Sequence, residues 1–304
     1  MYYYILNPAS GGGRINKIQD RLKSRLEELG IAGEFVKSIG EGDITKLTAM
    51  GIKKGYKTIV AVGGNGTINE VINGIGKSDV AIGVIPIGQK NELAKLLGIN
   101  DWQSACNILA ARKIDTLRIG RIGKSYFITS VNIGFEAEMA IQKADDQTLI
   151  QKTMYLKSAL SWSSKFKPQK ATLNFNDNFK VDTRFFNIKV LNSGFPQFKR
   201  DQDDASLLNV MITGKMPHMT SLKYILDPDG LKPEKKPDLS LFRTKKVIIN
   251  TEKSLPVSVD GKILCKTPIV CEVSNKELKI IVARKKAPSK PSLKPTKSTS
   301  KNKP

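Results

Sequence analysis

A glycine-rich segment in the first quarter of the chain has the clearest chemical meaning. Residues 60–71 read VAVGGNGTINEV, so an apolar, β-branched run passes into glycines and then into a helical pattern. Glycines let a backbone approach phosphate oxygens closely, and the unpaired N–H groups of a first helical turn attract anions. The segment predicts a phosphate-binding loop or an ordinary strand-to-helix turn. Thr67 can cap the helix or donate to a phosphate.

Two common nucleotide-binding motifs do not fit this segment. A Rossmann fingerprint that starts at Gly64 needs glycine at position 69, where the chain has Asn69. The Gly76-Lys77-Ser78 triplet looks like the end of a Walker loop, but the first glycine of that loop would fall at Val71, inside a predicted helix. We treat the triplet as a chance match.

Two further loops join a predicted strand to a predicted helix. Residues 7–13 read NPASGGG, and residues 88–91 read GQKN. Because ligands of open α/β sheets bind at the carboxyl ends of the strands, three such loops would converge on one edge of the sheet. This convergence favours a nucleotide site, to which Lys90 would add positive charge unless it is an ordinary solvated lysine.

The first half of the chain alternates between strand and helix patterns. Apolar, β-prone runs occur at residues 2–6, 34–37, 58–62 and 80–85, and helical patterns separate them. One helix has apolar residues at positions 15, 18, 22, 26 and 29, and Asp43 can cap the next. The pattern predicts an α/β N-terminal domain with a parallel sheet and helices on both faces.

Short β-prone runs dominate from residue 114 onwards, among them residues 126–131, 183–191, 269–273 and 278–282. A helical insert at about residues 147–165 interrupts them. They predict a mostly antiparallel β-sandwich second domain. The expected division is residues 1–120 for the nucleotide-binding domain, 121–283 for the lipid or substrate domain, and 284–304 for a disordered basic tail. The tail has eight Lys and Arg residues, four prolines and no acid.

The net charge of +22 predicts an anionic partner: nucleic acid, an acidic membrane surface or a phosphorylated ligand. Three cysteines and a single histidine argue against a disulfide framework and against a Cys/His metal site. Residues 1–6, MYYYIL, do not resemble a signal peptide, and no apolar run approaches a membrane span. We therefore expect a cytoplasmic protein that is peripheral to the membrane.

Five motifs, taken in order, resemble the diacylglycerol kinase catalytic-domain family. They are Asn7-Pro8-x-Ser10-Gly11, Gly63-Gly64-x-Gly66-Thr67-x-Asn69-Glu70-Val71, Pro86-x-Gly88, Asn132-Ile133-Gly134-Phe135-Glu136-Ala137-Glu138 and Val259-Asp260-Gly261. This family includes bacterial lipid kinases and is related to the sphingosine kinases. The order and number of the motifs over residues 2–283 make the resemblance specific, which the glycine loop alone would not be.

The resemblance implies an active site in the cleft between the two domains. ATP would lie across the three loops, with Ser38 on the adenine side and Mg²⁺ bridging the phosphates. Asp260 would be the general base, although Asp-Gly between strands also signals a hairpin turn, and both can hold. The implied nucleotide-binding residues are Asn7, Ser10, Gly11, Ser38, Gly63, Gly64, Asn65, Gly66, Thr67, Ile68, Asn69, Gly88 and Gln89.

The chain departs from the family pattern at acidic positions. In the glycine loop, where the family has Gly-Gly-Asp-Gly-Thr, Asn65 replaces the aspartate. The family's Gly-Thr-Gly-Asn-Asp loop reads GQKNE at residues 88–92. In the late Asp-Gly-Glu motif, Lys262 replaces the glutamate. Its metal-associated Asp-Gly-x-Leu-Asp run reads ASLLN at residues 205–209, although Asp203 and Asp204 lie just before it. We expect Asp204 to be a metal ligand. Since hard cations prefer carboxylates, these changes predict a weaker metal site.

The resulting hypothesis is an ATP-dependent lipid kinase that transfers the γ-phosphate to a diacylglycerol-like hydroxyl at an anionic membrane surface, in phospholipid biosynthesis. One alternative is a weakened or inactive family member that binds nucleotide or lipid in a regulatory role. Others are a NAD-kinase-like enzyme, which shares the glycine loop, and a nucleic-acid-binding protein, for which no recognition motif is present. The oligomeric state is open, a homodimer included.

Overall fold

The computed structural model describes residues 1–88, 91–141, 161, 166–193, 207–214 and 238–283. The predicted helical insert lies almost wholly outside these residues, and so does the predicted basic tail. Gln89, Lys90, Asp203 and Asp204 also lie outside them.

Four strands and five helices make up the first part of the chain. The strands are β1 (Tyr2–Leu6), β2 (Gly33–Lys37), β3 (Thr58–Gly63) and β4 (Ala81–Pro86), and the helices are α1 (Arg14–Glu28), α2 (Asp43–Lys53), α3 (Asn65–Gly74), α4 (Glu92–Leu96) and α5 (Trp102–Ala111). The strands pair in parallel in the order β2-β1-β3-β4. β1, β3 and β4 are buried along their whole length, as apolar parallel strands should be.

Helices cover both faces of this sheet. α1 contacts α5, whereas α2 contacts α3. Ile15, Leu22 and Leu26 of α1 are fully buried, which follows from their spacing on one helical face. The predicted α/β domain is confirmed.

Two helix starts differ from the prediction. α2 begins after Gly42, which has a left-handed φ of 75°, and the Asp43 carboxylate accepts a hydrogen bond from the Ile39 N–H instead of capping the helix (3.0 Å). α3 begins after Gly64, so Thr67 lies within the first turn and is not its cap. At α2 the left-handed Gly42 makes the turn into the helix without a side-chain cap, whereas Gly64 precedes α3 in an extended conformation.

The second part of the chain is mostly strand. Its elements are β5 (Ile114–Ile122), β6 (Ser125–Phe127), β7 (Ser130–Gly134), α6 (Phe135–Ile141), β8 (Gln169–Phe175), β9 (Phe179–Phe185), β10 (Asn187–Asn192), β11 (Leu208–Thr213), β12 (Leu239–Thr244), β13 (Lys246–Thr251), β14 (Pro256–Val259), β15 (Lys262–Lys266) and β16 (Ile269–Ile281). The predicted runs at residues 126–131 and 183–191 each divide into two strands. The runs at 269–273 and 278–282 form one strand with a bulge between Val273 and Glu277.

Two sheets enclose the second hydrophobic core. Six strands form an antiparallel sheet in the order β12-β11-β10-β7-β14-β15, and it packs on the antiparallel part of the larger sheet, β16-β13-β8-β9. Val131, Val190 and Val210 contribute from the first sheet, and Leu173 and Val247 from the second. The antiparallel second domain is confirmed, while the residue boundaries stay predictions.

β16 joins the two halves of the molecule. Cys271 near its start is buried in the second core, whereas Leu278 and Ile280 near its end are buried in the first. Lys279 and Ile280 pair in parallel with Ala81 and Ile82 of β4, which extends the parallel sheet by one strand. The larger sheet therefore runs through both halves and fixes their relative position.

Candidate functional site

The three predicted loops meet at the carboxyl edge of the parallel sheet. They follow β1, β3 and β4, which are neighbours in the sheet. The Asn7 N–H donates to the Val62 carbonyl (3.1 Å), and the Ile87 N–H donates to the Gly63 carbonyl (3.0 Å). Backbone hydrogen bonds thus continue past the strand ends and hold the loops side by side.

A cluster of side chains ties the first loop to the start of α3. The Asn7 side-chain amide donates to Thr67 Oγ1 (2.9 Å), and Ser10 Oγ lies 3.2 Å from the same oxygen, within a hydrogen bond. The Gly64 N–H donates to Ser10 Oγ (3.3 Å). Since Thr67 is buried, its hydroxyl serves to shape the loops in this arrangement.

Glycine is required where the loops touch. Gly11 has a left-handed φ of 64°, and a Cβ added there would lie 2.3 Å from the Ile87 carbonyl oxygen. A Cβ added at Gly88 would lie 2.7 Å from Gly64 Cα. Backbone from all three loops is therefore in direct contact, and the converging edge predicted from sequence is present.

The remaining predicted nucleotide residues have distinct environments. The Asn65 side-chain carbonyl accepts a hydrogen bond from the Leu93 N–H (3.3 Å) at the start of α4. Ile68 is fully buried in the first core. Ser38 follows β2 and is also buried, and its N–H donates to the Leu6 carbonyl (2.9 Å). Gln89 lies outside the described residues.

Asp260 lies across from these loops, in the turn between β14 and β15. Its φ is 48° and that of Gly261 is 89°, the two positive values that a type I′ hairpin turn requires. The turn predicted as one role of this Asp-Gly pair is therefore present. Positive φ is uncommon outside glycine, although Asp tolerates it better than most residues.

The Asp260 carboxylate is buried and accepts five hydrogen bonds. Oδ2 accepts from the Asn69 side-chain amide (2.6 Å) and the Ile128 N–H (2.9 Å). Oδ1 accepts from the Thr129 N–H (2.8 Å), the Thr129 hydroxyl (2.7 Å) and the Ser130 N–H (3.1 Å). The bond from Asn69 on α3 joins the glycine-loop helix directly to the second half of the chain.

The donors at Ile128, Thr129 and Ser130 were missed by sequence reasoning. Residues 126–131 read YFITSV and predict one unbroken strand, but the strand ends at Phe127 and a new one starts at Ser130. The break turns three successive N–H groups towards one carboxylate. No local turn signal in the sequence marks it.

A small amide network supports Asn69. The Asn73 side-chain amide donates to the Asn69 side-chain carbonyl (3.0 Å) and to the Tyr126 carbonyl (3.2 Å), and the Tyr126 N–H donates back to Asn73 (2.8 Å). The Lys276 ammonium lies 4.9 Å from the centre of the Tyr126 ring. Burial lowers the pKa of Lys276 below its ordinary value. These contacts fix α3 against β6.

Lys262 also crosses from the second half to α3. Its ammonium pairs with Glu70 at 3.1 Å, and a Cβ added at Gly66 would lie 2.7 Å from Lys262 Cε. The side chain therefore passes over the glycine loop, at a position where the related motifs have an acid.

The motif at residues 132–138 forms the junction between β7 and α6. The Glu136 N–H donates to the Asn187 side-chain carbonyl (3.0 Å), and the Asn187 amide donates to the Glu136 carboxylate (3.2 Å). Burial raises the pKa of Glu138 above its ordinary value. The Asn132 side-chain carbonyl is buried and has no hydrogen-bond partner among the described residues.

The described side chains contain no preformed metal cluster. Within the described ranges, no group of three or more His, Cys, Asp or Glu residues is placed to hold a metal ion. Asn65 brings no charge, Asn209 lies within β11, and Lys262 brings the wrong charge. The predicted ligand Asp204 lies outside the described residues.

The fold and the site together define a class of protein. A parallel α/β sheet presents three touching loops, and an antiparallel sandwich presents a buried carboxylate to them. Residues 1–122 match the sequence model of the diacylglycerol kinase catalytic domain. Residues 1–122 are therefore similar to this catalytic domain, and the resemblance drawn from the motifs is confirmed.

Individual relatives agree over most of the chain. A diacylglycerol kinase of Bacillus subtilis (strain 168) is 25% identical over 272 residues, which cover 85% of this chain and 88% of the relative. One of Staphylococcus saprophyticus is 23% identical and covers 87% of this chain and 89% of the relative. A crystal structure of a diacylglycerol kinase from Bacillus anthracis str. Sterne has a TM-score of 0.70 at 18% identity, covering 93% of this chain and 96% of that one. A second crystal structure from the same organism has a TM-score of 0.74.

The described helices do not include a membrane span. Each is too short or too polar to cross a bilayer.

Proposed function

We propose that this chain is an ATP-dependent lipid kinase that transfers the γ-phosphate to the hydroxyl of a diacylglycerol-like lipid. The observation that carries the proposal is the 2.6 Å hydrogen bond between Asn69 and Asp260. It places the carboxylate of the second half against the helix that begins at the glycine loop. The relatives described above, which are named diacylglycerol kinases, support the same reaction.

The chain's contribution to such a reaction is positioning. Phosphoryl transfer needs little covalent chemistry from the protein and depends on alignment and charge. The three loops would hold the phosphates through backbone N–H groups, with Asn7, Ser10 and Thr67 fixing the loop shapes from behind. Ser38 would lie on the adenine side, as the family resemblance implies. Gln89 is proposed as a nucleotide contact and Asp204 as a metal contact on the same basis.

Asp260 is proposed as the general base, and its environment limits how it can act. A carboxylate offers about four lone-pair sites, and five donors already point at this one. A lipid hydroxyl must therefore replace one donor before it can pass its proton to Asp260. We propose that it replaces the Thr129 hydroxyl, because a hydroxyl can rotate away from the carboxylate whereas the backbone N–H groups cannot.

The remaining proposals concern location. The net charge of +22 suits an anionic leaflet, where a basic residue near the surface contributes about 1 kcal/mol. We propose a cytoplasmic protein that is peripheral to the membrane and takes its lipid from that surface.

Transfer of labelled γ-phosphate from ATP to a mixed lipid extract tests the proposal. The wild-type chain should label one lipid class, and the product identifies the acceptor. Asn65→Asp restores the carboxylate of the family motif and should raise transfer in the presence of Mg²⁺ by roughly tenfold, as expected for one charged contact. Asn178→Asp, in the exposed turn after β8, makes the same charge change away from the loops and should leave transfer unchanged. No labelled lipid with any variant would refute the kinase.

A second candidate is a family member that binds nucleotide or lipid in a regulatory role. The filled acceptor sites of Asp260 and the lysine over the glycine loop favour it. Label that appears only with Asn65→Asp would support this candidate over the kinase.

A further inference from the structure

Lys262 belongs to the second half of the chain, but its side chain contacts the glycine loop of the first half. It begins β15, two residues after Asp260, and its chain extends over the first turn of α3. A Cβ added at Gly66 would lie 2.7 Å from its Cε and 3.4 Å from its Nζ. The ammonium is thus adjacent to the backbone that the proposed function assigns to nucleotide phosphates.

Glu70 orients this lysine without using all of its donors. The ammonium has three N–H groups, and the described residues supply one acceptor for it, Glu70 Oε1 at 3.1 Å. Glu70 lies one helical turn after Gly66 and its side chain is 17% exposed, whereas that of Lys262 is 54% exposed. The pair therefore fixes the lysine tip while leaving donors that face solvent.

The charge balance of the glycine loop makes those donors important. A nucleoside triphosphate is strongly anionic, and the hard divalent cations that neutralise it favour carboxylates among protein ligands. The loop has neutral Asn65 in place of a carboxylate, and the described residues contain no group of three or more His, Cys, Asp or Glu residues placed to hold a metal ion. Within the described residues at this loop, Lys262 is the positive side chain that the structure brings against the start of α3.

We propose that Lys262 binds the phosphate groups of the nucleotide and takes over part of the charge neutralisation otherwise done by a divalent cation. Glu70 is its positioning residue. This inference rests on the proposed function, since it assumes a nucleotide polyphosphate at the glycine loop. It predicts that the full chain binds ATP even when divalent cations are removed.

Titration calorimetry with ATP, in EDTA and in Mg²⁺, tests the inference without requiring transfer. The wild-type chain should bind ATP in EDTA. Lys262→Met removes the charge but keeps an unbranched side chain, and it should weaken binding in EDTA roughly ten- to hundredfold, the value of a hydrogen bond to a charged group. Lys262→Arg keeps a positive charge and should restore most of the affinity.

Lys266→Met is the matched control. Lys266 ends the same strand and is exposed, so its loss changes the net charge equally but lies away from Gly66. It should bind ATP as the wild type does. Equal affinity of Lys262→Met and wild type in EDTA would overturn the inference, and so would wild-type binding that requires Mg²⁺. Absence of ATP binding in both buffers would instead overturn the nucleotide site of the proposed function.

Discussion

Replacement of Asp260 by asparagine should reduce phosphoryl transfer by roughly 10²–10⁴-fold, the usual contribution of a general base. Asparagine keeps the shape of the side chain but cannot take the proton of the lipid hydroxyl. ATP affinity should stay near the wild-type value, because the carboxylate contacts Asn69 and residues 128–130 and does not contact the three loops. Transfer rates and calorimetry on the same preparation measure both quantities.

The same substitution should also lower the free energy of unfolding. An asparagine amide would direct N–H groups at donors that now face a carboxylate, and each unsatisfied buried donor costs about 1–3 kcal/mol. Asp177→Asn is a suitable control, since Asp177 also has positive φ in a turn but is exposed and pairs with Lys246 at the surface. It should leave stability and transfer nearly unchanged.

Thr129→Val separates a catalytic role of Asp260 from a structural one. It removes a single donor from the carboxylate and keeps its charge. If Asp260 accepts the proton, Thr129→Val should reduce transfer far less than Asp260→Asn does, even where the two variants lose similar stability. A loss of transfer that simply follows the loss of stability in both variants would mean that Asp260 only holds the halves together.

Gly11→Ala should destabilise the fold by about 3 kcal/mol and abolish nucleotide binding. Its positive φ costs a residue with Cβ about 1–2 kcal/mol, and the new Cβ would lie 2.3 Å from the Ile87 carbonyl oxygen, which is backbone and cannot move aside. The first and third loops would have to separate. Urea unfolding and ATP titration measure the two effects.

Gly13→Ala isolates the contribution of that clash. Gly13 has φ 76° in the same loop, but its nearest neighbour to an added Cβ is the Asn16 side chain at 4.0 Å. Gly13→Ala should reduce stability only by the strain of a positive φ, about 1–2 kcal/mol. It should retain ATP binding. Equal effects of the two substitutions would show that the contact between the loops is not what the site depends on.

The sequence predicted the parallel part of the fold well because its signals are local. Apolar runs at residues 2–6 and 58–62 and the glycines after them specify strands and tight turns without reference to the rest of the chain. The motif order then indicated the family. The helix starts were less accurate, since Gly42 and Gly64 took the place expected for Asp43 and Thr67.

The surroundings of Asp260 could not be predicted in the same way. Its partners come from residues 69 and 128–130, which are far away in sequence and become donors only through a break in a β-prone run. Lys262 likewise appeared as a departure from a motif, and its contact with Glu70, 192 positions away, is a product of the tertiary fold. Long-range pairing of this kind leaves no periodic signal in a single sequence.

The path of β16 has a practical consequence for anyone who shortens this chain. The family match ends at residue 122, yet β4 completes its hydrogen bonding with residues 279 and 280. A fragment cut at the end of the match would expose the edge of β4, whose residues are all buried in the whole protein. Open apolar edges recruit other strands. We expect such a fragment to aggregate on expression, so the unit that folds is larger than the segment that matches the family model.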